Sequence, residues 1–134
     1  MYTYKAKLDR VIDGDTIDAN IDLGFDITIH KRIRLTGIDT PESRTRDLEE
    51  KARGLASKAR LVELLDDGNF VLESREVGKF GRVLGTIYTI AEESININDT
   101  LVKEGFAVEY YGGKKKKKVE KEKSDQNEDV PFAD

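Results

Sequence analysis

The chain has 134 residues, with no cysteine, no tryptophan and only one histidine. The lack of cysteine excludes a disulfide-stapled scaffold, a thiolate metal centre and a cysteine nucleophile. A lone histidine, His30, excludes a multi-histidine zinc centre within one chain. No apolar run approaches the roughly 20 residues of a membrane span. The first residues, Met1 to Lys7, hold no apolar stretch of the secretory kind. The expectation is a soluble protein with no membrane partner, in the cytoplasm (or a host's cytoplasm, were it viral), and secreted only if a leader has been removed. Apolar and charged residues each make up 37%. That composition suits one modest core under a dense charged shell.

Net charge is -4, but it is unevenly spread. From Gly112 onward the chain changes character: two glycines, the lysine run Lys114 to Lys118, then an acidic end. This segment holds 7 lysines against 6 acids, leaving -5 on residues 1–111. The expected organisation is one domain over 1–111 and a charged tail over 112–134, read as disordered or a frayed helix. A net-acidic body argues against nucleic acid as partner, which usually leaves a basic footprint.

Periodicity supplies the elements. Thr3 to Ile12 alternates, as do Thr16 to Asp22 and Ile27 to Leu35, giving a three-strand meander. The alternation puts Ile17, Ala19 and Ile21 inward and Asp18, Asn20 and Asp22 outward. In the third strand His30, Arg32 and Arg34 take the polar face. Leu48, Ala52, Leu55, Ala59 and Val62 recur at spacings of 4 and 3, the stripe expected to dock an amphipathic helix. Asp47 with Glu50 suits its start as a capping box, and Gly68 its stop. Phe70 to Arg75 and Arg82 to Ile90 read as strands. Asn98 is expected to cap a last short helix, Asp99 to Glu104, ended by Gly105. The order β-β-β-α-β-β-α, mainly β within an α+β class, fits a five-stranded OB-fold-type β-barrel with a helix after strand three and a short C-terminal helix.

Three segments carry candidate chemistry: Asp13-Gly14-Asp15-Thr16, Arg34-Leu35-Thr36-Gly37-Ile38-Asp39-Thr40-Pro41-Glu42, and Lys79-Phe80-Gly81-Arg82. Singly, each has a bland reading: an Asx turn, a solvated strand arginine, a helix approach. In this order and at these junctions they resemble the staphylococcal nuclease family. The resemblance implies a calcium-dependent nuclease that hydrolyses DNA or RNA at the 5' P–O bond and leaves 3'-phosphate ends. It implies Asp15 and Asp39 as calcium ligands with the backbone carbonyl of Thr40. It also implies Glu42 as the acid beside the attacking water, Arg34 and Arg82 as phosphate-gripping catalytic residues, and Lys79 near a terminal phosphate. Tyr110 and Tyr111 stand near the position of a base-stacking tyrosine, Tyr111 by counting from Gly105; the bland alternative is a surface aromatic closing the barrel.

Physical chemistry supports the same residues. Calcium takes hard oxygen ligands, so a site without Cys and with little His is in keeping. Arginine offers a planar fork that matches phosphate oxygens. Asp15, Asp39, Glu42, Arg34 and Arg82 together sum to -1, and a divalent ion reverses the sign, which predicts metal-conditional phosphate binding.

There are departures from the pattern. Phe80 replaces a frequent tyrosine, the connection Ser43 to Asp47 carries both signs, and the family's third helix has no counterpart after Tyr111. The lysine run suits either a basic arm for phosphate backbones or a solubilising tail. The end, Glu128 to Phe132, resembles the acidic Pro-Phe tip of bacterial single-stranded DNA-binding proteins, a weak protein-partner signal. The expected state is a monomer. The rival reading is a non-catalytic OB-fold module that binds nucleic acid or protein.

Overall fold

The computed structural model describes residues 2–77, 81–91 and 93–110. Lys79, Tyr111 and the tail that follows lie outside the described residues. The meander is present as β1 (Tyr2–Asp13), β2 (Thr16–Gly24) and β3 (Ile27–Leu35), all antiparallel neighbours. The chain then forms a two-residue β4 (Ile38–Asp39), helix α1 (Leu48–Leu64), β5 (Asn69–Val77), β6 (Val83–Thr89), α2 (Ile97–Lys103) and β7 (Val108–Glu109). The five long strands pair in the order β1-β2-β3-β6-β5, and β5 returns to β1, closing a barrel. The β3–β6 seam is parallel; every other long-strand pair is antiparallel. The mainly β, α+β expectation holds, with β4 and β7 added as a small pair of their own.

Alternation fills the barrel as expected. Ile17, Ala19, Ile21, Ile33, Leu35, Phe70, Leu72 and Ile87 are buried inside it. Each large member contributes about 1.5–3 kcal/mol by leaving water. Leu61 and Leu65 from α1, and Ile97 and Leu101 from α2, extend this core.

Four local expectations need correction. The stripe Leu48, Ala52, Leu55, Ala59 and Val62 faces outward, and α1 docks instead through Gly54, Ser57 and Leu61. Small residues let the helix approach closely, so packing outranks the count of apolar side chains. Asp47 does cap α1, accepting from the amides of Glu49 and Glu50, but Glu50 does not close a capping box. Its Oε2 accepts from the backbone N–H of Glu42 at 3.1 Å. The cap of α2 is Asn96, not Asn98. Asn98 is buried and bridges three backbone groups: it accepts from Ile87 N–H and donates to the carbonyls of Thr36 and Gly85. Asp18, expected outward in solvent, is only 5% exposed because Arg10 and Arg32 close over it.

Candidate active site

Three segments converge at the barrel end where β1 turns into β2 and β3 leaves the sheet. In the first, both carboxylates of Asp13-Gly14-Asp15 reach beyond their own turn. Asp13 Oδ1 accepts from Ser43 Oγ, and its Oδ2 lies 3.8 Å from Arg44 Nη2. Asp15 is buried, at 7% exposure. Its Oδ1 accepts from Thr16 Oγ1 at 2.9 Å and its Oδ2 from the Thr40 N–H at 3.0 Å. Gly14 is required by crowding: a Cβ there would lie 2.7 Å from Ser57 Cβ and 3.0 Å from Thr40 Cγ2.

The second segment is the exit of β3. Alternation directs Arg34 to the polar side, opposite the buried Ile33 and Leu35. Its Nη1 donates to the carbonyls of Leu35 at 3.1 Å and Ile38 at 2.9 Å and lies 3.4 Å from Asp15 Oδ2. Its Nη2 donates to Asp39 Oδ1 at 3.2 Å. One planar guanidinium thus ties two carboxylates and two carbonyls together. A lysine, a single point charge, has no such fork. Gly37, at φ 80°, turns the chain so that β4 pairs with β7 and Asp39 faces Asp15 across the arginine. The Gly37 carbonyl in turn accepts from the Tyr110 N–H at 2.8 Å.

The third segment runs from Thr40 to α1. Thr40 is buried, and its Oγ1 has no hydrogen-bond partner among the described residues. Glu42 is exposed, with its backbone seated on α1. A Cβ at Gly54 would lie 2.3 Å from the Glu42 carbonyl oxygen and 2.7 Å from the Ser43 nitrogen. Glycine inside a helix costs about 1 kcal/mol relative to alanine; here the close approach requires it.

Asp15, Arg34, Asp39 and Thr40 are therefore in direct contact as a cluster. Arg82 is half-buried, just before β6. The β6 register, Ile33↔Val83 and Arg34↔Leu84, brings it within two residues of the level of Arg34 on the adjoining strand. Lys79 and Tyr111 fall outside the described residues, and Tyr110 is located by its backbone bond to Gly37. Sequence reasoning missed Thr16, Ser43, Gly54 and Ser57 as supports. A glycine in the middle of a helical pattern was the available signal for Gly54.

The cluster suits a hard cation. Two carboxylates share one arginine, a buried threonine hydroxyl beside them lacks a partner among the described residues, and these side-chain ligand atoms are all oxygens. Among the described residues no three acidic or histidine side chains converge as a complete cage. Backbone, water or substrate oxygens would complete the coordination.

Comparison with known proteins addresses the same segments. The family model of the staphylococcal nuclease homologues matches residues 32–129. The chain belongs to the staphylococcal nuclease family. The match spans Arg34, Asp39, Thr40, Glu42 and Arg82; Asp15 stands before it and is tied to it by the contacts above. Over 117 residues the chain is 33% identical to micrococcal nuclease of Shigella flexneri, covering 81% of this chain and 61% of that protein. Over 107 residues it is 30% identical to protein ParB of Escherichia coli, covering 75% of this chain and 54% of that protein. Over 116 residues it is 32% identical to endonuclease YhcR of Bacillus subtilis, covering 81% of this chain and 9% of that protein. The chain thus spans little more than half the length of the first two relatives. Among the described residues, no helix is long and apolar enough to cross a membrane.

Proposed function

We propose that the chain is a metal-dependent nuclease that hydrolyses phosphodiester bonds of DNA or RNA. The observation that carries this reading is the single guanidinium of Arg34 held between Asp15 and Asp39 at the exit of β3. Family membership and two relatives named as nucleases support it. The proposed metal is calcium, held by Asp15, Asp39 and the carbonyl of Thr40. Once bound, it supplies positive charge and a template for phosphate oxygens and water.

The remaining work falls to the chain's own side chains. Phosphoryl transfer needs positioning and charge stabilisation more than covalent help. Glu42, exposed and two residues beyond Thr40, orients the attacking water or takes its proton. Arg34 and Arg82 neutralise charge that grows on the phosphoryl oxygens, and Arg82 assists the leaving oxygen. The proposed cleavage is at the 5' P–O bond, leaving 3'-phosphate ends. Lys79 and a tyrosine, Tyr111 or Tyr110, are proposed to hold the substrate beside the cut.

The test is incubation of single-stranded DNA, double-stranded DNA and RNA with calcium, with magnesium and with chelator. The reading predicts cleavage with calcium, loss of cleavage with chelator, and ends that a polymerase extends only after phosphatase treatment. No cleavage of any substrate with calcium would leave the non-catalytic OB-fold binding module as the better account.

A further inference from the structure

Helix α1 carries an apolar stripe apart from the face it buries against the barrel. Gly54, Ser57, Leu61 and Leu65 face the barrel. Leu48, Ala52, Leu55, Ala59 and Val62 form the apolar stripe, all exposed, with Leu48 at 78%, Leu55 at 46% and Val62 at 49%. At about 100° per residue the stripe and the buried face lie roughly 135° apart around the helix axis. Single exposed apolar residues are ordinary, but five aligned along one helix form a patch that calls for a partner.

The spacing of this patch is that of a heptad seam, with Leu48, Leu55 and Val62 at d and Ala52 and Ala59 at a. Small residues at a allow close approach. The flanks carry opposite charges: Lys51 and Lys58 lie at g on one side, Glu49 and Glu63 at e on the other. Glu63 meets Arg60 at 3.1 Å within the helix, yet its side chain stays 67% exposed. In a parallel pair of identical helices, Lys58 of each copy meets Glu63 of the other, twice by symmetry. In an antiparallel pair, lysine would face lysine and glutamate would face glutamate. The charges therefore select a second copy of this chain, side by side and parallel.

We propose that the outer face of α1 is a two-fold interface between two copies of the chain. This departs from the monomer expected from sequence. The helix is already fixed by the barrel, so association does not bear the cost of ordering it. The seam is only two heptads long, so the dimer is weak and concentration-dependent.

Sedimentation equilibrium of the full chain, up to a concentration on the order of 1 mM, reads this directly. The expected result is a reversible dimer, abolished by Leu55→Lys, an exposed site whose substitution leaves the circular dichroism unchanged. Lys58→Glu and Glu63→Lys should each weaken association about tenfold, and the double variant should recover it. A monomer at every concentration overturns the proposal, as does a dimer indifferent to Leu55→Lys or a double swap without recovery. If the full chain is monomeric and dimerises only after removal of residues 111–134, the tail is the occupant and the proposal fails.

Discussion

Arg34 shows how much depends on one side chain. Its fork spans Asp15 and Asp39 and closes on two carbonyls, so its loss would remove the cation that bridges the two carboxylates. We expect Arg34→Ala to lower turnover about 100-fold or more. We expect Arg34→Lys to restore little of that, because charge without the planar fork cannot bridge the pair. Steady-state cleavage of a labelled oligonucleotide checks both. Asp18 gives a separate prediction about acid. A hydrogen bond from Arg32 first, then Arg10, holds its carboxyl below the ordinary carboxylate range, although burial pushes the other way. A depressed folded value contributes stability that is fully present above the unfolded value of about 4 and lost as pH falls through the folded one. The wild type should therefore lose melting temperature more steeply than Asp18→Asn as pH falls below about 4. Melts from neutral to acid pH decide it; parallel curves would contradict the assignment. The residue types at the site were legible in sequence. Their partners were not, because contacts such as Thr40 to Asp15 join positions far apart in the chain.

At the scale of elements, α1 both packs against the barrel and supports the site. Its Gly54 accommodates the Glu42 carbonyl while its Glu50 holds the Glu42 amide. Helix propensity alone predicts that Gly54→Ala stabilises the protein by about 1 kcal/mol. The close approach predicts the reverse sign, together with a fall in turnover as Glu42 shifts. Urea unfolding and kinetics on the same variant separate the two. α2 makes a parallel case. Asn98 satisfies groups of β6 and the β3 exit from within the helix, so Asn98→Ala should cost about 1–3 kcal/mol in urea unfolding. Long alternating strands were readable because their period of two is set by the pleat. The helix faces were not. The apolar stripe of α1 is regular enough to pass for the buried one, while the real docking face is built from a glycine, a serine and a leucine. The pairing of β4 with β7 left no local signal, since two residues are too few to show a period.

For the whole molecule, the net charge of -4 no longer opposes a nucleic-acid partner. Part of the acid is gathered at the barrel end around Arg34, and more is neutralised in place, as where Arg10 and Arg32 cover Asp18 and Arg60 clamps Glu104 with two bonds of 2.7 and 2.9 Å. A site that is net negative until a divalent ion enters should bind an oligonucleotide weakly in chelator and more tightly with calcium. That gain should shrink as salt rises. The difference is measurable by fluorescence anisotropy on an uncleavable phosphorothioate analogue. The order of strands and helices, and the family, were legible because they rest on periodicity and on motifs at element junctions. The second face of α1 became visible only when folding had shown which stripe the barrel uses. The barrel end is the proposed calcium-assisted phosphodiesterase centre. Its most direct test is a calcium titration of single-turnover oligonucleotide cleavage by the wild type, Arg34→Ala and Asp39→Asn. We predict both variants to be at least about 100-fold slower at saturating calcium, with Asp39→Asn also needing more calcium to reach its maximum. Parental rates in both variants, at the parental calcium requirement, would contradict it.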